Sequence, residues 1–279
     1  MNYRLSTKFP ARRAWITGGA SGLGKQLCLE LAKDGWTIGF CDINADALQQ
    51  TAEQIRAAGG KALPFVLDIT DHLSYAEVMT QFLSQTEQNG LDVIINNAGV
   101  GDGCPFDEYS VENWQWIVGI NQMGAIYGSR LCVPIFKRQQ SGHIINIASA
   151  AAFVNPPGMS AYNVTKAAVL SLSETLRIEL AREGIGVSVV MPTFFKTNIM
   201  QHARGPEEGR VVAAKLMEMS GISANDVAQY VLKNAGKGNF RIILPFQARF
   251  LYIVKRLFPT LFYWLLNRLA AQRESLLRP

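Results

Sequence analysis

The chain has 279 residues, 48% hydrophobic and 18% charged, which is enough apolar mass for one large α/β core and excludes a disordered chain. Four widely spaced cysteines (Cys28, Cys41, Cys104 and Cys132) form no Cys-x-x-Cys pair, which excludes a zinc ribbon or disulfide scaffold and points to a reducing compartment. The net charge of +5 is carried by residues 246–279, with six basic side chains against one acid, while the rest of the chain balances at 21 of each sign. A neutral body with a basic tail is not the pattern of a nucleic-acid binder.

The predicted elements alternate along the chain. Strands are expected over Ala14–Thr17, Trp36–Cys41, Ala62–Leu67, Val93–Asn96, His143–Ala148, Val187–Met191 and Arg241–Leu244. Most are continuous apolar runs, as expected when both faces of a sheet are covered. Helical patterns lie between them. Leu23, Leu27 and Leu31 repeat at four-residue steps before Gly35, Asp46–Ala58 stops at Gly59-Gly60, and Ala161–Glu183 stops at Gly184. Repeated strand–helix units imply a doubly wound parallel sheet of about seven strands, the Rossmann arrangement, with helices on both faces. The expected organisation is one domain over 1–245 and a helical extension over 246–279. Met1–Trp15 has no apolar secretory core, and no apolar run approaches the ~18 residues of a membrane span. A cytoplasmic location is therefore expected.

The first strand runs into Thr17-Gly18-Gly19-Ala20-Ser21-Gly22-Leu23-Gly24 and a helix opens at once. Such glycines let the backbone approach a pyrophosphate, whose charge meets the N–H groups of the helix N-terminus. Gly19–Lys25 is one residue short of a triphosphate-binding loop, Gln26 stands where a magnesium ligand is needed, and the Leu91–Asn96 run ends without a metal-binding Asp. Asp42 ends the second strand 18 residues after Gly24. A carboxylate there accepts from ribose hydroxyls and repels a 2′-phosphate, which favours NAD(H) over NADP(H); the competing role is a helix cap.

Tyr162 and Lys166 lie at i and i+4 on one helix face, with Ser149 thirteen residues earlier at the end of a strand. An adjacent ammonium favours phenolate over phenol, so this tyrosine is expected to have a lowered pKa and to act as a general acid or base. His72, His143 and His202 are scattered and suggest no metal set.

Taken with Asp68, Asn96-Asn97-Ala98-Gly99 and Asn121, all in order, these motifs make residues 10–245 resemble the short-chain dehydrogenase/reductase family in its single-domain branch. The resemblance implies a nicotinamide-dependent oxidoreductase acting on CH–OH groups. Gly18, Ser21, Gly22, Leu23 and Gly24 would hold the cofactor phosphates, and Asp68 and Ile69 would flank the adenine. Asn96, Ala98 and Gly99 would line the cofactor channel, with Pro192 and Thr197 near the carboxamide. Tyr162 would be the acid/base and Ser149 would orient the substrate oxygen. Lys166 would bind the nicotinamide ribose, and Asn121 would hold a relay water. Thr193 stands where the family has Gly. A homodimer or homotetramer is expected.

Phe153, Val154, Pro156, Pro157, Met159, Phe194 and Phe195 are expected near the cleft and suit an apolar, lipid-like substrate, whereas Trp114 and Trp116 read as core or interface. In the tail, Phe250, Val254, Leu257, Leu261, Leu265 and Leu269 recur at three- and four-residue steps beside Lys255, Arg256 and Arg268, and Pro259 should divide it into two short helices. That stripe must hide against its own domain as a lid, against a second subunit, or against a membrane surface on the inner face. Two other readings stay open at this stage: a non-catalytic NAD-binding or membrane-associated module, and an isomerase or dehydratase on the same cofactor fold.

Overall fold

The computed structural model describes residues 5–277 except 198, 201 and 202; the side chains of 208–210, 212 and 269–277 also lie outside the described set. His202, Leu269, Arg273 and Arg278 are therefore not placed. Seven strands, β1 (Arg13–Thr17), β2 (Thr37–Asp42), β3 (Lys61–Val66), β4 (Val93–Asn96), β5 (Gly142–Ile147), β6 (Ile185–Pro192) and β7 (Arg241–Leu244), form one parallel sheet in the order β3-β2-β1-β4-β5-β6-β7. The order reverses between β1 and β4. In sheets of this kind, ligands bind in the crevice beyond the carboxyl ends of the strands at such a switch.

The helices are α1 (Leu5–Lys8), α2 (Gly22–Ala32), α3 (Ala45–Ala57), α4 (His72–Ser84), α5 (Val111–Val118), α6 (Gly124–Gln139), α7 (Ala151–Val154), α8 (Ser160–Glu179), α9 (Glu207–Met219), α10 (Ala224–Gly236), α11 (Phe246–Leu257) and α12 (Pro259–Leu277). Two apolar cores sit on opposite faces of the sheet. One gathers Leu27, Trp36, Ile38 and Val231, and the other gathers Trp15, Phe82, Ile94 and Phe136. The continuous apolar runs of the sequence exist because successive residues of a central strand point into both cores. A buried pair ties the start of the sheet together: Arg13 donates to both carboxylate oxygens of Asp92 at 3.1 and 2.9 Å. All four cysteines are buried, and desolvation pushes the Cys28, Cys41 and Cys132 thiols well above their ordinary range.

Predicted and observed strands coincide to within two residues at each end. Gly59 and Gly184 adopt left-handed φ of +96° and +69° at the ends of their helical stretches, which L side chains rarely tolerate. The long helix predicted to reach Glu183 instead ends at Glu179 and is followed by a short 3₁₀ turn, Ala181–Glu183. Pro259 does divide the tail, and it occupies the first turn of α12, where its missing N–H costs nothing. The second piece is nineteen residues long, not short. No helix among the described residues is long and apolar enough to cross a membrane.

Candidate active site

A cleft of about 1340 Å³ opens at the carboxyl ends of the strands and runs from Asp42 to the loop after β6. That exceeds the ~300–1,000 Å³ of a single small-molecule site, leaving room for a dinucleotide and a second ligand.

At one end, the β1–α2 turn is packed to the limit. A Cβ on Gly24 would lie 2.0 Å from the Gly18 carbonyl oxygen, and one on Gly18, at φ +65°, would lie 2.9 Å from the Ala98 Cα. Helix α2 therefore begins directly against the turn. Its N-cap, Ser21, makes no side-chain cap bond, so the first N–H groups of α2 are not satisfied by a side chain there. Bare N–H groups at a helix start, reached over glycines, suit a pyrophosphate. Asp42 lines the cleft and does not cap α3, whose N-cap is Asn44 accepting from Ala47 N–H at 3.0 Å. The Asp42 carboxylate accepts long bonds from Ala20 and Asn44 N–H at 3.2 and 3.3 Å. Asp68 and Ile69 line the same region, with Asp68 held by Thr70 N–H at 2.9 Å.

Ser21, Gly22, Leu23, Ala98, Gly99, Pro192 and Thr197 also line the cleft. Asn96 does not. Its buried amide donates to Asn146 Oδ1 at 2.8 Å and Ser129 Oγ at 3.2 Å, which stitches β4 to β5. Asn97 is the residue that reaches the cleft wall, donating to the carbonyls of Thr17 and Gly18 at 2.9 and 3.1 Å. Gly24 likewise acts through close packing and not as lining. Asn121 sits in a π turn, Gly119–Met123, which interrupts the run from α5 to α6. Such single π turns recur at functional sites. Both ends of the Asn121 amide are engaged: Oδ1 accepts from Val100 N–H at 2.8 Å, and Nδ2 donates to Val100 carbonyl at 2.9 Å and Thr165 Oγ1 at 3.3 Å. Its side chain thus pins the loop after β4.

At the other end, Ser149, Tyr162 and Lys166 line one wall. Ser149 Oγ accepts from Ala151 N–H at 3.1 Å and donates to the Pro192 carbonyl at a long 3.5 Å. Lys166 is buried, its Nζ donating to the Ile147 carbonyl at 3.0 Å and standing 5.5 Å from the Tyr162 ring centre. The expected lowering of the phenol pKa is reversed here. Burial pushes Tyr162 up to about 12, against a downward pull from the nearby Ser149 hydroxyl. Burial also pulls the Lys166 ammonium down to about 8. Desolvation is the largest influence on both groups. Gly99 completes the wall, since a Cβ there would crowd Asn121 Oδ1 and Lys166 Nζ at 3.1 and 3.3 Å.

Of the residues expected near the substrate, Val154, Pro156, Met159, Phe194 and Phe195 line the cleft. Phe153 is instead buried edge-on against Tyr252, and Pro157 does not line the cleft. Trp116, read as core or interface, is a cleft residue, and the Arg204 guanidinium lies over its ring at 4.2 Å. Leu251 of α11 also reaches the rim. Thr193 continues the ladder by donating its N–H to the Leu244 carbonyl at 3.0 Å, so the family's glycine is not required by that turn.

Sequence reading missed Asp102. Its carboxylate is buried beneath the start of α8, with Oδ2 accepting from Tyr162 N–H at 3.2 Å and Oδ1 unpartnered. Helix α8 has no side-chain cap of its own, so an acid from a distant loop supplies the anion its N-terminus favours. Burial raises that carboxyl to about 6. An Asp following Asn-Ala-Gly in sequence is the only local signal, and it is too weak to have revealed the cap.

Residues 12–208 match the family described as short chain dehydrogenase. Among curated proteins the chain is 31% identical over 257 residues to the probable oxidoreductase EphD of Mycobacterium tuberculosis, covering 88% of this chain and 43% of that protein. The chain thus spans under half the length of the EphD relatives. It is 30% identical over 218 residues to 3-oxoacyl-[acyl-carrier-protein] reductase FabG of Thermotoga maritima, covering 78% of this chain and 87% of that protein. Among solved structures, a short chain dehydrogenase/reductase from Burkholderia phymatum in complex with NAD superposes with a TM-score of 0.79 at 29% identity, covering 88% and 94% of the two chains.

Proposed function

The chain belongs to the short-chain dehydrogenase family of NAD(P)-dependent oxidoreductases, and from that premise we propose that it interconverts an apolar alcohol and its ketone or aldehyde, with NAD(H) preferred over NADP(H). The observation that carries this reading is the convergence of Ser149, Tyr162 and Lys166 on one wall of a cleft whose far end is closed by the Asp42 carboxylate.

The nicotinamide cofactor, when bound, supplies the hydride acceptor or donor. The start of α2 and the glycine turn would hold its phosphates, Asp42 its adenosine ribose, and Asp68 with Ile69 its adenine. The protein's own chemistry is a proton transfer at the substrate oxygen. With its phenol pushed up to about 12, Tyr162 keeps its proton at neutral pH and can deliver it to a carbonyl oxygen. Ser149 lines the same wall as that phenol and would orient the same oxygen. The buried Lys166 cation stabilises the phenolate that forms, an attraction strengthened by its dry surroundings. Asn121 keeps the loop after β4 in register by holding Val100.

The lining supports the apolar substrate. Val154, Met159, Phe194, Met200 and Met217 dominate the substrate end, and the methionines there are adaptable fillers. A homodimer or homotetramer belongs to the same reading and is checked by light scattering. The activity is tested by following NADH absorbance with a panel of apolar secondary alcohols and matched polyols, each with NAD and NADP. Turnover of the apolar alcohols with NAD is expected. Selective turnover of polyols, or a higher kcat/KM with NADP, overturns the corresponding part.

A further inference from the structure

Helix α11 is apolar on two opposite sides. One side packs on the body: Ala248 is buried, Tyr252 meets the Phe153 ring edge-on at 5.1 Å, and Lys255 donates to the Phe153 carbonyl. At 3.6 residues per turn, Phe246, Phe250, Ile253 and Leu257 align on the other side. They are 77, 63, 52 and 65% exposed. In α12, Leu261, Trp264 and Leu265 continue as an exposed stripe, with Arg268 one turn on and 5.4 Å from the Trp264 ring. Of the three covers expected for the stripe, the chain's own domain does not supply one at Phe250, Leu257, Leu261 or Leu265.

We propose that this outer face of α11 and α12 docks on an anionic lipid surface. A helix apolar on its packed side and again on its outer side needs a second apolar partner. The charge pattern selects which partner. Residues 246–268 contain Arg249, Lys255, Arg256 and Arg268 and no acid. Glu174 engages Arg256 at 3.6 Å, but Arg249 and Arg268 have no ion-pair partner among the described residues. A second copy meeting this face about a twofold axis would set arginine against arginine with no carboxylate from the segment between them. A bilayer rich in anionic headgroups offers phosphates at the level of the arginines and acyl chains beneath for the phenylalanines and leucines. Trp264, with an apolar body and a polar tip, suits the boundary between the two. Leu251 of the same helix lines the rim of the cleft, so docking brings the cleft mouth beside the lipid. That last step rests on the proposed apolar substrate; the docking does not.

The full-length protein is sedimented with vesicles of phosphatidylcholine alone and of phosphatidylcholine mixed with phosphatidylglycerol. Binding to the anionic vesicles is expected to be at least tenfold tighter and to weaken as salt is raised, because surface charges are screened over ~8 Å at physiological ionic strength. The double variant Phe250→Glu with Ile253→Glu should lose that binding tenfold or more. Its thermal midpoint, NADH binding and turnover of a water-soluble alcohol should match wild type, because both side chains lie in water. Arg249→Glu with Arg268→Glu should abolish the preference for anionic vesicles. Wild type that ignores anionic vesicles at low salt, or a Phe250/Ile253 variant that still binds them, overturns the proposal. A variant that merely dissociates an oligomer in light scattering also overturns it and makes the face a contact between copies. Loss of turnover with vesicle binding intact would instead count against the proposed reaction.

Discussion

The turn between β1 and α2 and the pair of helices after β7 treat the same chain in opposite ways. In the turn there is no space for one methyl group, and Asn97 amide bonds close what the glycines leave. In α11, four large apolar side chains project into water on a helix that is already packed on its other side. The first region is complete within the chain: its geometry is over-determined by internal contacts, as a site that must hold a ligand rigidly requires. The second leaves a row of large apolar side chains uncovered among the described residues, as the proposed lipid docking requires. Substitutions in the cleft should therefore be costly and local, whereas those on the outer face of the tail should leave the isolated protein unmoved.

The largest effect is expected at the reacting group. Tyr162→Phe should lower kcat/KM by ~10²–10⁴, the range of general acid–base catalysis, with NADH affinity by fluorescence within a few-fold of wild type. Retention of more than about a tenth of the activity would remove Tyr162 from that role. Gly24→Ala comes next. Its Cβ meets a backbone oxygen that cannot move without unwinding the turn, so a loss of ~2–3 kcal/mol in urea unfolding is expected, together with weakened NADH binding. A stable variant with unchanged affinity would show the turn to be less rigid than the comparison requires.

A smaller effect distinguishes the cofactors. Asp42→Ala should narrow the NAD/NADP ratio of kcat/KM by about tenfold, since a hydrogen bond to a charged group contributes ~1.5–3 kcal/mol and part of that is recovered by water. An unchanged ratio would return Asp42 to a structural role. The smallest effect reads the buried acid under α8. Because the folded-state pKa of Asp102 is raised to about 6, the folded protein binds its proton more tightly than the unfolded chain does. The resulting stabilisation is fully present below the unfolded value of ~3.9 and is lost as pH rises through about 6. The stability gap between wild type and Asp102→Asn should therefore shrink by ~1–2 kcal/mol between pH 4.5 and 7.5 in paired urea titrations. A pH-independent gap would mean that the carboxylate is solvated, and that the cleft wall is less dry than the half-buried Tyr162 and buried Lys166 suggest.

What was legible in the sequence follows the same division. The strands were readable because both sheet faces are covered, and the glycine turn because φ and clearance leave so few alternatives. Tyr162 and Lys166 were readable because four residues of helix bring them to one face. The chemistry of the pair was not, since its pKa values depend on burial by distant segments. Asn96 and Asn97 are adjacent in one motif, and only the packing of β4 on β5 decides that the first is core and the second faces the cleft. Trp116, Asp102 and Leu251 join the site from α5, the loop after β4 and α11, a meeting that no local pattern announces. In the tail the periodicity was plain, but a helix apolar on two sides does not say which side turns inward.

The four buried cysteines have a practical corollary. Cys28, Cys41, Cys104 and Cys132 are buried, and desolvation holds the thiols in their protonated, unreactive form. Native thiols should therefore stay silent toward maleimides and spin labels while the fold is intact. A single cysteine introduced on an exposed position would then be the sole reporter, with no need to strip the natural ones from the core first.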